Sequence, residues 1–284
     1  MRYSLILPVP GPASPEQVLR FAESADELGY HGVYMNSRVV RPAEINSKHP
    51  YTPDGRAPWP TSINWPDTFV LFSTIAARTK QLRFGPMVVP VIVTHPLVLA
   101  KQTATLDAYS GGRLEVGLGA GWMLEEATAL ERATDRRWRR LEETIEILRL
   151  AWTQDVVSYS GRCYEFGGVG TYPHPAQGDR LPIWIGGHGQ RALAIAARHG
   201  AGVILWGGYA PEKVGDYVRR IRALGSDVPV ATLVDSATPL DQFEQLVTSM
   251  EDAGADMVVL SRLGDYDRHM QVIRDFAARF LPSQ

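Results

Sequence analysis

The sequence predicts a (β/α)8 TIM barrel carried as one domain over residues 1–284. Three observations predict it. Short β-branched runs alternate with longer helical segments, a pattern that means parallel strands joined by helical crossovers. Eight such units occur, the number that closes a barrel, and a length of 284 residues suits that fold as a single unit. The first turn, Pro8-Val9-Pro10-Gly11-Pro12, lacks the G-x-G-x-x-G that the alternative, an open doubly wound sheet, brings after its first strand.

The elements follow in order. A first strand spans Tyr3 to Pro8. Ser14 caps a helix, with Pro15 at its first position, Gln17 closing a capping box and Gly29 at its exit. Val18, Leu19, Ala22, Ala25 and Leu28 keep the helical period. Gly32 to Met35 is the second strand, and the long Pro-, Asn- and Ser-rich stretch Asn36 to Trp65 follows. A connection of that length is functional or disordered. The third and fourth strands are Leu82 to Val89 and Arg113 to Leu118, each after a helix, Pro66–Arg78 and Pro96–Tyr109. A long helix from Asp135 to Thr153 buries Trp138, Leu141, Ile145, Leu148 and Trp152. Val156 to Phe166 reads as a hairpin turning at Ser160-Gly161. Four further strands, 182–185, 203–206, 229–234 and 257–261, alternate with helices at 190–199, 211–224, 240–253 and 266–280.

Composition narrows the class. At 45% hydrophobic, 21% charged and a formal net charge of −2, the chain has the balance of an ordinary globular protein. Arg136, Arg137, Arg139 and Arg140 cluster on one helix and read as a solvated face, so no nucleic-acid partner is expected. The single cysteine, Cys163, permits no intrachain disulfide and suits a reducing compartment. Neither a signal-peptide core nor a run of the ~20 apolar residues that span a bilayer is present, so the expectation is a cytoplasmic protein without a membrane partner.

A barrel of this type places its site at the carboxyl ends of the strands. Those ends offer Asn36, Ser37 and Arg38; Met87 and Val88; Gly119 to Trp122; Gly186, Gly187 and His188; Trp206; Asp235; and Ser261 with Arg262. None of the four lysines sits where a Schiff-base aldolase needs one. No H-x-H or H-E-x-x-H pattern brings metal ligands together, so no metal is expected. Only Asp235 is a strand-end carboxylate, where a glycosidase needs two. An apolar, aromatic and glycine-rich site suits a planar organic cofactor that carries the chemistry itself. Gly186-Gly187-His188-Gly189 stands between strand and helix, where it is either a structural turn or a cradle for a cofactor phosphate.

Leu82-Arg83-Phe84-Gly85-Pro86-Met87-Val88-Val89 begins an ordered set of motifs that continues through His95-Pro96-Leu97 and Ala100-Lys101-Gln102. It runs on through Ser110-Gly111-Gly112-Arg113-Leu114-Glu115-Val116-Gly117-Leu118-Gly119-Ala120-Gly121-Trp122, Pro173-His174-Pro175 and Pro182-Ile183-Trp184-Ile185-Gly186-Gly187. Together these resemble the luciferase-like monooxygenase superfamily. Pro50-Tyr51-Thr52-Pro53-Asp54-Gly55-Arg56 resembles the subgroup dependent on coenzyme F-420. The resemblance implies a deazaflavin ring at the mouth of a bacterial luciferase-like barrel, and FMN in the flavin-dependent relatives. A bulge with a non-prolyl cis peptide, mapping to Met87-Val88, would back the ring; Gly119 and Ala120 would lie beside it; and the phosphate would lie near Gly186, Gly187, His188 and Gly189. The resemblance also implies a homodimer.

The sequence departs from that family at two places. Ser37-Arg38 stands where many relatives carry Asp-His, and Trp122 where some deazaflavin relatives carry Glu. An arginine stays charged and does no general acid–base work at neutral pH. Arg38 either clamps an acidic substrate or phosphate or pairs with a carboxylate. Trp122 walls the pocket or packs, His95 is structural or a site residue, and Asp235 orients substrate or caps a helix. The catalytic candidates are thus Arg38, Ser37, Trp122 and His95. The expected activity is hydride transfer between F-420 and a small organic substrate. The alternatives are an FMNH2-dependent monooxygenase fed by a flavin reductase and a redox-inactive, ligand-binding barrel.

Overall fold

A computed structural model describes residues 1–235, 238–261 and 266–281. In chain order it contains β1 (Arg2–Ile6), α1 (Pro15–Glu27), β2 (Gly32–Met35), α2 (Thr68–Arg78), β3 (Arg83–Pro86), β4 (Val89–Pro90), α3 (Pro96–Tyr109) and β5 (Val116–Gly119). Next come α4 (Leu124–Ala129), α5 (Arg137–Thr153), β6 (Val157–Ser160), β7 (Glu165–Val169) and a 3-10 turn at Gly178–Arg180. The chain continues with β8 (Ile183–Gly186), α6 (Gln190–His199), β9 (Gly202–Leu205), α7 (Pro211–Arg222) and β10 (Val230–Asp235). It ends with α8 (Leu240–Asp252), β11 (Met257–Ser261) and α9 (Tyr266–Phe280).

The large sheet runs β3-β2-β1-β11-β10-β9-β8-β5-β4, and its strand pairs are parallel. β3 and β4 are two halves of one stave, broken at Met87-Val88, so the two ends of the list are one place in the molecule. Closure is completed by a bridge between Phe84 and Leu114 and by the Glu115 amide donating to the Phe84 carbonyl at 2.9 Å. Eight staves therefore form the expected TIM barrel. The peptide joining Met87 to Val88 is cis.

Alternation within the strands divides the apolar residues into two layers. Tyr34, Met87, Trp184, Ile204, Ala231, Leu233, Met257 and Val259 fill the barrel interior. Their neighbours in sequence, such as Val33, Ile185, Val203 and Val258, belong to the larger core cluster outside it. One carboxylate enters the lower interior. Glu115 is 2% exposed and accepts from Arg83 Nε at 2.7 Å, Trp184 Nε1 at 2.8 Å and the Tyr34 hydroxyl at 3.0 Å, with His31 Nε2 at 3.2 Å.

Local chemistry sets most element boundaries. Ser14 and Gln17 form the capping box of α1, and Gly29 leaves it with φ +80°. Asp67 caps α2, so this helix starts two residues later than Pro66 suggests. Several bounds shift by a few residues, and two differences go further. α4 was not foreseen, because six residues without a side-chain cap leave no periodic signature. The second hairpin strand runs beyond Phe166, because the turn is set by a distant group. Glu143 of α5 accepts from the amides of Arg162, Cys163 and Tyr164 at 2.8–3.1 Å. No helix among the described residues is long and apolar enough to cross a membrane.

Candidate active site

The carboxyl ends of the staves bring Val88 together with Gly117, Gly119 and Gly186. Val88 follows the break in the third stave and points inward, partly exposed, above the interior cluster. A Cβ added at Gly119 would meet its Cγ2 at 2.8 Å, one at Gly186 its Cγ1 at 2.7 Å, and one at Gly117 its Cγ1 at 3.1 Å. Gly119 and Gly186 admit only glycine while Val88 is there, whereas at Gly117 the Pro86 carbonyl oxygen, 2.6 Å from an added Cβ, already excludes a side chain. Met87, by contrast, is fully buried, so of this pair only Val88 reaches the mouth. Ala120 is 7% exposed and packs with the core.

Beside this floor lies the turn Gly186-Gly187-His188-Gly189. Gly187 has φ +134°, a conformation side chains rarely adopt. Gly189 is the N-cap of α6 and carries no side-chain cap, so the first amides of α6 lack an intrahelical partner. A Cβ at Gly189 would meet nothing within 4 Å. The His188 Nδ1 lies 3.0 Å from the Tyr209 hydroxyl. Burial lowers the His188 pKa from its ordinary value, and the charges of Arg220 and Lys213 lower it further.

The second strand end is committed to structure. Ser37 is buried, and its amide donates to the Val88 carbonyl at 3.2 Å. Arg38 resolves toward pairing with a carboxylate. Its Nη1 meets Glu126 Oε2 of α4 at 2.9 Å, with the two side chains 10% and 0% exposed. Glu126 also accepts from the Val39 amide at 2.8 Å, and neighbouring Glu125 accepts from the amides of Asn46 and Ser47. Two adjacent acids of α4 thus pin the long 36–65 segment. The Arg38 guanidinium lies over the rings of Trp122 at 5.3 Å and Trp65 at 5.9 Å.

That segment carries a run of ring contacts along the mouth. Trp65 meets Trp59, Trp59 meets His49, and His49 meets Trp122 edge-to-face at 4.9 Å. His49 also meets Tyr51, and Tyr51 continues to His188, Tyr209 and Tyr217. Burial, with Arg38, lowers the His49 pKa from its ordinary value. His95 caps α3, its Nδ1 accepting from the Leu97 amide at 3.2 Å, and its ring meets Tyr164 at 5.6 Å. Burial, with Arg132, lowers its pKa as well. Trp206 is partly buried against the interior cluster, and Asp235 closes β10. Arg262 lies outside the described residues.

This arrangement matches a known group. The profile of the luciferase-like monooxygenases matches residues 5–234. The chain belongs to the luciferase-like monooxygenase family. Membership makes it an enzyme of the oxidoreductase and monooxygenase type. An uncharacterized protein of Mycobacterium tuberculosis is 32% identical over 244 residues, 84% of this chain and 82% of that one. An F-420-dependent glucose-6-phosphate dehydrogenase of Microbacterium testaceum is 31% identical over 201 residues, 70% of this chain and 54% of that protein. Among solved structures, a monooxygenase from Streptomyces bottropensis superposes with a TM-score of 0.75 at 23% identity, over 99% of both chains. An F-420-dependent secondary alcohol dehydrogenase gives 0.76 at 15% identity, over 98% and 99%. These structures share the luciferase-like barrel fold.

Sequence reasoning overlooked several groups at the mouth. Gly117 was quoted only within a motif and given no role, and Tyr209 and Tyr217 went unremarked, although Gly207-Gly208-Tyr209 is a second glycine turn after a strand and resembles the one at 186–189. Glu126 was not singled out either, because nothing in its spacing pointed to Arg38, 88 residues away.

Proposed function

We propose that this luciferase-like enzyme, acting as one barrel domain over residues 1–284, is an oxidoreductase using F-420 on a small organic substrate. The carrying observation is the seat of Val88 among Gly117, Gly119 and Gly186, which leaves bare backbone at the mouth beside an uncapped helix start. A broad planar ring fits against such a floor, and its phosphate fits the open amides beyond Gly186. When bound, the deazaflavin supplies two-electron hydride chemistry.

In this reading Val88 backs the ring, with Gly119 and Ala120 beside it. Gly186, Gly187, His188 and Gly189 receive the phosphate through the backbone N–H groups at the start of α6, which have no intrahelical partner. Trp122 and His49 wall the substrate side and exclude water. Arg38 is a positioning residue, holding the 36–65 segment over the site through Glu126. Ser37 holds the second strand end to Val88 through its amide, and His95 fixes the start of α3. The 31% identity to an F-420-dependent dehydrogenase supports the choice of cofactor.

The test is a binding titration of purified protein against F-420 and, separately, FMN, followed by fluorescence. Tight binding of F-420 with FMN ignored is the expected result. Preference for FMN, with oxygen uptake when reduced FMN is supplied, would replace this reading with a monooxygenase served by a reductase. Tight binding without turnover of either would make the barrel a binding protein.

A further inference from the structure

Beyond the phosphate turn, Arg136, Arg137, Arg139, Arg162 and Arg191 line a groove of about 840 Å³ together with Trp138. The groove lies between the N-termini of α5 and α6, on the mouth side of the barrel. Arg191 is the second residue of α6, two past Gly189, and Arg137 Nη1 donates to the Gly121 carbonyl at 3.0 Å. Glu143 holds the hairpin turn that presents Arg162. The arginines of this helix face keep solvent exposure, and Arg136, Arg137 and Arg139 also meet Arg162 of the hairpin and Arg191 of α6 across one concavity.

No carboxylate lines the groove. Arg136 pairs with Asp135 at 3.5 Å and Arg139 with Glu143 at 2.8 Å. Arg137, Arg162 and Arg191 form no ion pair among the described residues. The N-cap of α5, Arg136, has φ +49° and gives no side-chain cap, and neither helix has an acid in its first turn. Like charges crowded in a cleft focus a positive potential, to which both helix dipoles add.

The geometry points to a site for an extended polycarboxylate chain, the glutamyl tail of the cofactor whose phosphate lies at Gly186–Gly189. The inference rests on the deazaflavin reading above. F-420 continues past its phosphate into such a tail, whereas FMN ends there.

The test compares F-420 with and without its glutamyl tail by fluorescence titration, in the wild type and in Arg162→Gln/Arg191→Gln. These side chains are exposed and unpaired, so unchanged thermal melting is expected in the variant. The tailed form should bind the wild type about tenfold tighter, the equivalent of one or two charge-assisted contacts, with a steeper loss in salt. In the variant that ratio should fall to about one through loss of those contacts, with tail-free affinity kept. Equal binding of both forms by the wild type would overturn the groove and leave the cofactor assignment standing. Binding of neither form would overturn the cofactor assignment and the groove with it.

Discussion

Arg38 and Glu126 are joined at 2.9 Å across two elements that are otherwise remote, the segment after β2 and the short helix α4. Removing one member leaves the other charge buried without its partner, which costs about 3–5 kcal/mol. Arg38→Met and Glu126→Gln should each lower the urea unfolding midpoint and speed amide exchange at the Val39 N–H. Weaker ligand binding at unchanged stability would instead place Arg38 on the ligand.

Val88 and its glycine seat predict a size-dependent coupling. Gly119→Ala or Gly186→Ala brings a methyl to under 3 Å of Val88 and should cost about 1–3 kcal/mol by overpacking. Val88→Ala removes the colliding Cγ atoms, so the double variants should recover part of that loss. Strict additivity in a double-mutant cycle would show that the glycines serve something other than Val88.

Acid stability should depend on Glu115. Burial raises its pKa, but the hydrogen bond and charge of His31 and the charge of Arg83 outweigh it and hold the group at about 2, below its ordinary 4.5. A group depressed on folding contributes stability above its unfolded pKa and loses it as pH falls through the folded value. The loss should run from about pH 4.5 down to about 2, and Glu115→Gln should flatten it while lowering stability at pH 7. An unchanged acid limb in that variant would refute the assignment.

Trp122 holds the mouth segment through His49 and Arg38. An aromatic pair of this kind is worth about 0.5–1.5 kcal/mol beyond its area. Trp122→Ala should therefore speed tryptic cleavage at the exposed Lys48 or Arg56 by about two- to tenfold, if opening is fast relative to cleavage. An unaltered cleavage rate would mean that α4 alone secures the segment.

Where chemistry is local, the sequence is easily read. Pro96 starts α3 and Tyr266–Phe280 keeps its period throughout, so both helices have the expected bounds. The glycine turn at 186–189 shows itself between strand and helix. What is hidden depends on long-range pairs. Arg38 admits a clamp or an ion pair until Glu126 is placed beside it, and the hairpin turn is decided by Glu143. The arginines of α5 change meaning once Arg162 and Arg191 face the same groove. Each of these outcomes is a contact between residues far apart in the chain, which periodicity cannot encode.

The alternation along β5 has one more consequence. Its inward positions above Glu115 are Gly117 and Gly119, and β8 ends inward on Gly186, while Leu233 and Val259 still fill the opposite wall. The bowl at the top of the barrel is therefore lopsided, hollowed toward β5 and β8 by the subtraction of side chains. A flat guest has its room on that flank, leaning toward α5 and α6.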